Sequence, residues 1–341
     1  VILVVARWRR HPRKRTTPAE TLSGATAAAI RYVRYSPGLR ALLFRAGIVM
    51  FFASGLLALL PAVAHEVSKS PTGYGFLLGS FGFGAVLGAL AMQRARARWS
   101  AEAVVSGGVL VFGLSTMAAG MFHNLPTLNA AMLIAGAAWI VFISLFNVIT
   151  LNHTPDWVRA RVLAVWLLVF QGAMAGGSAV WGALATRTGI HVALIWAGAG
   201  TIATAALGLL FKLPDLTVDL TPWVHWKLPI MSNEDPAITD SGPALVTVEY
   251  DVEPEHQARF LQAVHKYERI RRRDGAYQWG IFRNLESPNR YVEMFLVDSW
   301  AEHMRQHERS THADREVEER VQSLARGTPK VHHLVRPTPK L

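Results

Sequence analysis

The chain has 341 residues, with 35 Lys and Arg against 24 Asp and Glu, 51% hydrophobic residues and 17% charged ones. Soluble globular proteins carry about 25% charged residues, so this deficit excludes an ordinary soluble enzyme, and the apolar content excludes a disordered chain. There is no Cys, which excludes a disulfide scaffold, a thiol nucleophile and a Cys-ligated zinc site.

The average conceals two regimes. Residues 1–242 hold 19 Lys and Arg against 9 Asp and Glu, whereas residues 243–341 hold 16 against 15. The basic excess lies beside apolar runs, which points to orientation in a membrane and away from nucleic-acid binding. Val1–Ala6 is apolar and runs into Arg7, Trp8, Arg9 and Arg10. A signal peptide has the reverse order, so this stretch reads as the tail of a preceding span. With Val rather than Met at its start, the sequence reads as a fragment that lacks an amino-terminal part.

Six apolar runs follow, near Ala41–Ala64, Tyr74–Met92, Ala101–Phe122, Thr127–Thr150, Val162–Ala185 and His191–Phe211. Each approaches the 20 or so residues that a membrane helix needs, and none has the regular polar stripe of a soluble amphipathic helix. Segment 7–40 carries nine Lys and Arg. Adding Arg94, Arg96, Arg98, Arg159 and Arg161 gives fourteen in alternate loops, against Lys69 and Arg187 in the others. The positive-inside rule then puts segment 7–40 and the carboxy-terminal region in the cytoplasm.

The second run has Gly75 and Gly79, then Gly84 and Gly88, and the fifth has Gly172 and Gly176. Glycines four apart clear one helix face for close packing or sliding. Polar residues inside spans are costly and are candidates for function. Arg45 either snorkels to the cytoplasmic surface, pairs with an acid or contacts a substrate. Asn147 and Gln171 line a polar path or bond between helices, and Trp139, Trp166 and Trp181 line a cavity or pack. Glu102 sits at a span margin, where it is expected to be wet.

Three segments carry a family likeness. Gly84-Ala85-Val86-Leu87-Gly88-Ala89-Leu90, followed by Arg94, Arg96 and Arg98, resembles the Gly-and-Arg loop motif of major facilitator transporters without its acidic residue. Thr154-Pro155-Asp156-Trp157-Val158-Arg159-Ala160-Arg161-Val162 resembles the loop before the eleventh helix of the transmembrane secretion effectors, and Ile30–Pro37 is similar to that group too. These exporters resemble those of enterobactin-type siderophores. The resemblance implies that residues 1–40 are a central cytoplasmic loop and that residues 41–211 are the second six-helix half of an alternating-access transporter. It also makes Arg94, Arg96, Asp156, Arg159 and Arg161 gate or loop residues. The missing amino-terminal half would be the partner, a small molecule the substrate and the proton gradient the energy source, with no cofactor. A phosphate-binding loop with Lys and Ser or Thr is absent from the sequence, which argues against ATP drive.

Residues 212–243 are interrupted by Pro214, Pro222, Pro229, Pro236 and Pro243 and read as an extended tether, with Trp223 and Trp226 at the headgroup layer. From Ala244 the period changes. Val246, Val248 and Tyr250 alternate with polar residues, a strand pattern. A helix is expected from Pro254 to about Arg271, strands over Tyr277–Arg283 and Tyr291–Val297, a helix capped by Ser299, another over about Ala313–Leu324, and a last strand over Lys330–Val335. The order βαββαβ is ferredoxin-like.

His303 and His307 are four apart on one helix face, a spacing that can ligate a metal, with Glu308 or His312 as a third ligand, or that simply forms a solvated polar face. His332 and His333 read as surface residues. Trp300-Ala301-Glu302-His303-Met304-Arg305-Gln306-His307-Glu308-Arg309-Ser310-Thr311 resembles the antibiotic-biosynthesis-monooxygenase domains. That likeness implies a dimeric α/β barrel and, if the domain is active, a catalytic set of Trp279, Trp300, His303 and His307. The haem-degrading relatives have an Asn on the first strand, and residues 244–252 have none. The combined expectation is an all-α membrane domain followed by a small α+β domain. The function expected is export of a small hydrophobic or amphiphilic molecule such as a siderophore or drug. The rivals are a membrane-anchored monooxygenase and a binding or dimerisation module.

Overall fold

A computed structural model of the chain describes residues 22–68, 70–214, 218–223 and 242–336. The apolar tail Val1–Ala6, the basic run Arg7–Arg15, Lys69, Trp226 and most of the tether lie outside these residues. The chain divides into two compact units, one of residues 29–221 and the other of residues 1–28 and 222–341.

Helix α1 (Leu22–Tyr35) occupies part of the segment read as a loop. Ala25, Ala28, Ala29 and Tyr32 are buried along it, a three-to-four-residue spacing that a search for long apolar runs passes over. Next come α2 (Pro37–Ser68), α3 (Pro71–Arg98), α4 (Ala101–Met121), α5 (Leu125–Asn152), α6 (Arg159–Thr188), α7 (Ile190–Ala205) and the single turn α8 (Leu207–Leu210). Six helices among the described residues are long and apolar enough to cross a membrane, with α7 and α8 forming the sixth as Ile190–Leu210.

The helix ends follow from local chemistry. Ser100 and Asn124 cap α4 and α5 by accepting from the amides of Ala103 at 3.2 Å and Thr127 at 3.0 Å, which satisfies donors that a helix start leaves free. Gly189 turns α6 into α7 at a φ of 90°, a conformation that glycine adopts without a Cβ clash.

Packing is pairwise and runs backbone to backbone. Helix α3 lies on α5, α4 on α7 and α5, and α2 on α6 and α7. A Cβ at Gly84 would meet the Leu133 carbonyl and one at Gly136 the Phe81 carbonyl, so α3 and α5 touch at two reciprocal glycines. Gly113 and Gly198 do the same for α4 and α7, and Gly177 lets α6 reach Phe51 on α2. Gly88 approaches Ala137. By contrast, Gly75, Gly79, Gly172 and Gly176 have nothing within 4 Å of a Cβ position. These four, read as packing glycines, face no neighbour at a Cβ position among the described residues. They lie on the two most uncovered spans, whose most apolar stretches are 22% (α3) and 17% (α6) buried, against 56% in α2.

The second unit has β1 (Ala244–Asp251), α9 (Gln257–Asp274), β2 (Gln278–Arg283), β3 (Arg290–Val297), α10 (Trp300–Arg309), α11 (His312–Gln322) and β4 (Arg326–Val335). The sheet is antiparallel in the order β2-β3-β1-β4, which is the ferredoxin-like topology. Helix α9 begins three residues later than expected. Strand β4 begins four residues earlier, because pairing extends to Asp251 opposite Arg326 past a register shift near Tyr250. Ala244, Val246, Val248 and Tyr250 turn one face of β1 into the core with Phe260, Val264 and Phe295. Phe260 and Phe295 are fully buried, and each contributes about 1.5–3 kcal/mol. Ser299 caps α10 by accepting from Glu302, and Thr311 with Asp314 forms a capping box on α11.

Candidate functional site

In the membrane unit, Arg45 does not snorkel. It is 0% exposed, and its guanidinium pairs with Glu102 of α4 at 2.7 Å and donates to Ser106 Oγ at 3.0 Å. Glu102 in turn accepts from the Leu213 amide at 3.1 Å. The pair thus ties α2 and α4 to the end of the last span, and Glu102, expected to be wet, is its acid. Trp139 lies among Phe112 and Phe142, each with ring centroids 5.5 Å away, so it packs in a cluster of rings. Trp166 and Trp181 are buried, and Trp181 donates to the Phe51 carbonyl at 2.9 Å.

Asn147 and Gln171 are exposed on their spans. Asp156 and Arg159 form an exposed pair at 2.8 Å, and Arg161 donates to the Trp157 carbonyl at 3.4 Å. Arg94 and Arg96 are exposed near the end of α3, where cations suit the helix dipole. Sequence reasoning missed the pairing of His191 with Glu66 at 3.0 Å. The His191 ring also lies against His123, tilted by 44° with centroids 4.3 Å apart. The three residues stand at span ends that are remote in sequence, so no spacing rule could have joined them.

In the second unit, α10 carries His303 and His307 on one face, as the four-residue spacing predicts. The partner that completes the group comes from β4. His333 pairs opposite Val246 and therefore faces the helices, while His332 pairs opposite Thr247 and faces the other way. The reading of His333 as a surface residue is thus corrected, because alternation along a strand puts only one of two neighbours outside. Glu308 and His312 take no part, and His312 instead packs on Trp223. The Trp223 amide donates to the Ser310 carbonyl at 2.9 Å, and its ring lies 4.0 Å from the Arg315 guanidinium, which places this tryptophan on the α/β unit.

The ligating nitrogens of His303, His307 and His333 all lie within 4.8 Å of one another. Trp300 flanks the group, its ring 5.3 Å from His303 and 5.5 Å from His333. A cleft beside it is lined by Tyr267, Arg271, Ser310 and Glu318. Trp279, the fourth expected catalytic residue, is elsewhere: its indole donates to Glu293 at 2.9 Å and its ring packs on His265. Glu293 is wholly buried and also accepts from Arg271 at 3.2 Å and Tyr250 at 3.0 Å. Arg271 sits over the Tyr267 and Phe295 rings at 4.4 and 4.5 Å. The buried carboxylate therefore has a partner on every side, as a buried charge must.

Burial pushes His303 down to about 3. Burial, with the Arg271 charge, pushes His307 down to about 4, and His333 is lowered mainly by burial. An unfolded histidine titrates near 6.5. Below that value the unfolded state binds more protons than the folded one, so stability falls as pH falls. Thermal unfolding of the chelator-treated protein should therefore show a midpoint to which these rings add no slope above pH 7, and which drops as pH falls from 6.5 toward 4. A midpoint independent of pH over that lower range contradicts the burial of these rings.

The transmembrane secretion effector family's model matches residues 1–339. The chain is similar to the multidrug efflux pump Tap of Mycolicibacterium fortuitum, 24% identical over 185 residues, covering 53% of this chain and 44% of that protein. It thus spans under half the length of that relative. A crystal structure from Bordetella bronchiseptica, named as a putative antibiotic biosynthesis monooxygenase, is similar to 28% of this chain and is covered over 99% of its own length, with 22% identity and a TM-score of 0.26. On the match across residues 1–339 and the six apolar spans, the chain belongs to the transmembrane secretion effector family of major facilitator transporters.

Proposed function

We propose that residues 41–211 are one six-helix half of an exporter of a small hydrophobic or amphiphilic molecule, such as a drug or siderophore. It works by alternating access in the bacterial inner membrane, with the α/β unit in the cytoplasm. The observation that carries this reading is the uncovered state of α3 and α6. Among the described residues nothing lies within 4 Å of a Cβ position at Gly75, Gly79, Gly172 and Gly176, and Asn147 and Gln171 are exposed within spans. Lipid has no use for either feature. A smooth face lets another helix come close, and an amide in hydrocarbon is costly. A second six-helix half against these faces covers the glycines and leaves the amides beside a polar path. Efflux of drugs by the Mycolicibacterium relative, as its name states, supports the direction and the substrate class. The proton gradient is the energy source that fits this family.

The test is energy-dependent extrusion of a hydrophobic cationic dye. Cells that express the protein from its own locus should retain less dye than a deletion strain, and a protonophore should remove the difference. Equal retention in the two strains contradicts export.

For the α/β unit, pairing with a second copy is better supported than catalysis. Phe282 and Leu334 are exposed on the sheet face away from the helices, and Leu245, Val292, Met294 and Leu296 are only half-buried on it. A second sheet would cover this surface.

A further inference from the structure

We propose that His303, His307 and His333 form a binding site for a divalent transition-metal ion of the zinc type. Two elements converge to build it. Helix α10 supplies two imidazoles one turn apart, and β4, paired to β1 with His333 opposite Val246, supplies the third. The Nε2 atoms of His303 and His307 are 3.1 Å apart. Two nitrogens on one tetrahedral zinc, with Zn–N about 2.0–2.1 Å, are about 3.3 Å apart, so the pair already has the separation that a shared ion imposes.

The orientation of His303 is fixed from behind. Its Nδ1 faces the Gln306 side-chain oxygen at 3.2 Å. That oxygen accepts the Nδ1–H, which leaves the Nε2 lone pair aimed at the group, the outer-sphere arrangement of metal-bound histidines. Trp300 closes one side with an apolar wall. On another side is the cleft, lined by Ser310 and Glu318 among others, where a water or an anionic oxygen ligand completes the coordination. The nearby cation, Arg271, is paired with the buried Glu293 at 3.2 Å, so the effect of its charge on the group is reduced, not removed. Three imidazoles without a thiolate favour zinc, nickel or copper over magnesium or calcium.

Calorimetric titration with zinc chloride of the full chain tests this. The protein is purified in detergent without a polyhistidine tag and stripped with chelator. One saturable equivalent per chain is expected. His307→Ala and His333→Ala should each weaken it by at least about tenfold, the loss that outer-sphere changes alone can cause. His332→Ala, on the opposite sheet face, should leave it unchanged. Cobalt(II) in place of zinc should give the visible bands of a nitrogen-ligated tetrahedral ion, lost in His333→Ala. His303 is 2% exposed and its replacement perturbs the core, so the half-buried His307 and His333 carry the test. Absence of saturable binding overturns the site, leaving an N–H···N bond between His303 and His307. Binding that survives the combined His307→Ala and His333→Ala change overturns it as well.

Discussion

Glu102→Leu is expected to lower the stability of the membrane unit by about 2–3 kcal/mol, less than for a wholly buried pair broken from one side, because the Glu102 side chain is 33% exposed. It leaves the Arg45 guanidinium, 0% exposed, buried without its carboxylate. Ser106 and the Phe211 carbonyl, at 3.0 and 3.4 Å, accept from the guanidinium but do not neutralise it. Adding Arg45→Met removes the stranded charge, and apolar replacements of whole buried pairs are often neutral or better. The double variant should therefore regain most of the loss. The readout is the thermal midpoint in detergent across the four combinations. A single Glu102→Leu variant that unfolds like the parent chain would contradict a structural ion pair at this position.

Gly136→Leu should open the seam between α3 and α5. A Cβ at residue 136 falls on the Phe81 carbonyl, and Gly84 meets Leu133 in the same way from the facing helix. Backbone cannot yield as a flexible side chain can. Overpacking commonly costs about 1–3 kcal/mol, and at a backbone contact the upper end is expected. Gly79→Leu is the contrast, since nothing lies within 4 Å of its Cβ position. It should leave the thermal midpoint of this unit unchanged while reducing export, if, as proposed, this face packs against a second six-helix half. Equal destabilisation by the two substitutions would mean that the seam is not the close contact described. A Gly79→Leu variant that exports normally would remove α3 as a mating face.

The six spans are legible in the sequence because twenty or so apolar residues between charged loops have few other fates. The βαββαβ order is legible because alternation in Val246–Tyr250 and the cap at Ser299 are local signals. Gly84 and Gly79 are indistinguishable in sequence, both in four-residue glycine pairs, yet one meets a carbonyl and the other meets nothing. Only the pairing of helices decides between them. Arg45 stands out in its apolar run but its acid does not, since Glu102 is 57 residues away on another span. His333 carries no mark of its own, because two adjacent histidines at a strand end give no sign of which one faces inward. The register of β4 on β1 decides that, and with it the composition of the histidine group.

Everted membrane vesicles from cells expressing the protein at its own locus measure transport in one step. A hydrophobic cationic dye added outside such vesicles meets the cytoplasmic face. Energised vesicles should concentrate the dye, a protonophore should release it, and vesicles from the deletion strain should do neither. Identical dye uptake with and without the gene would contradict an exporter.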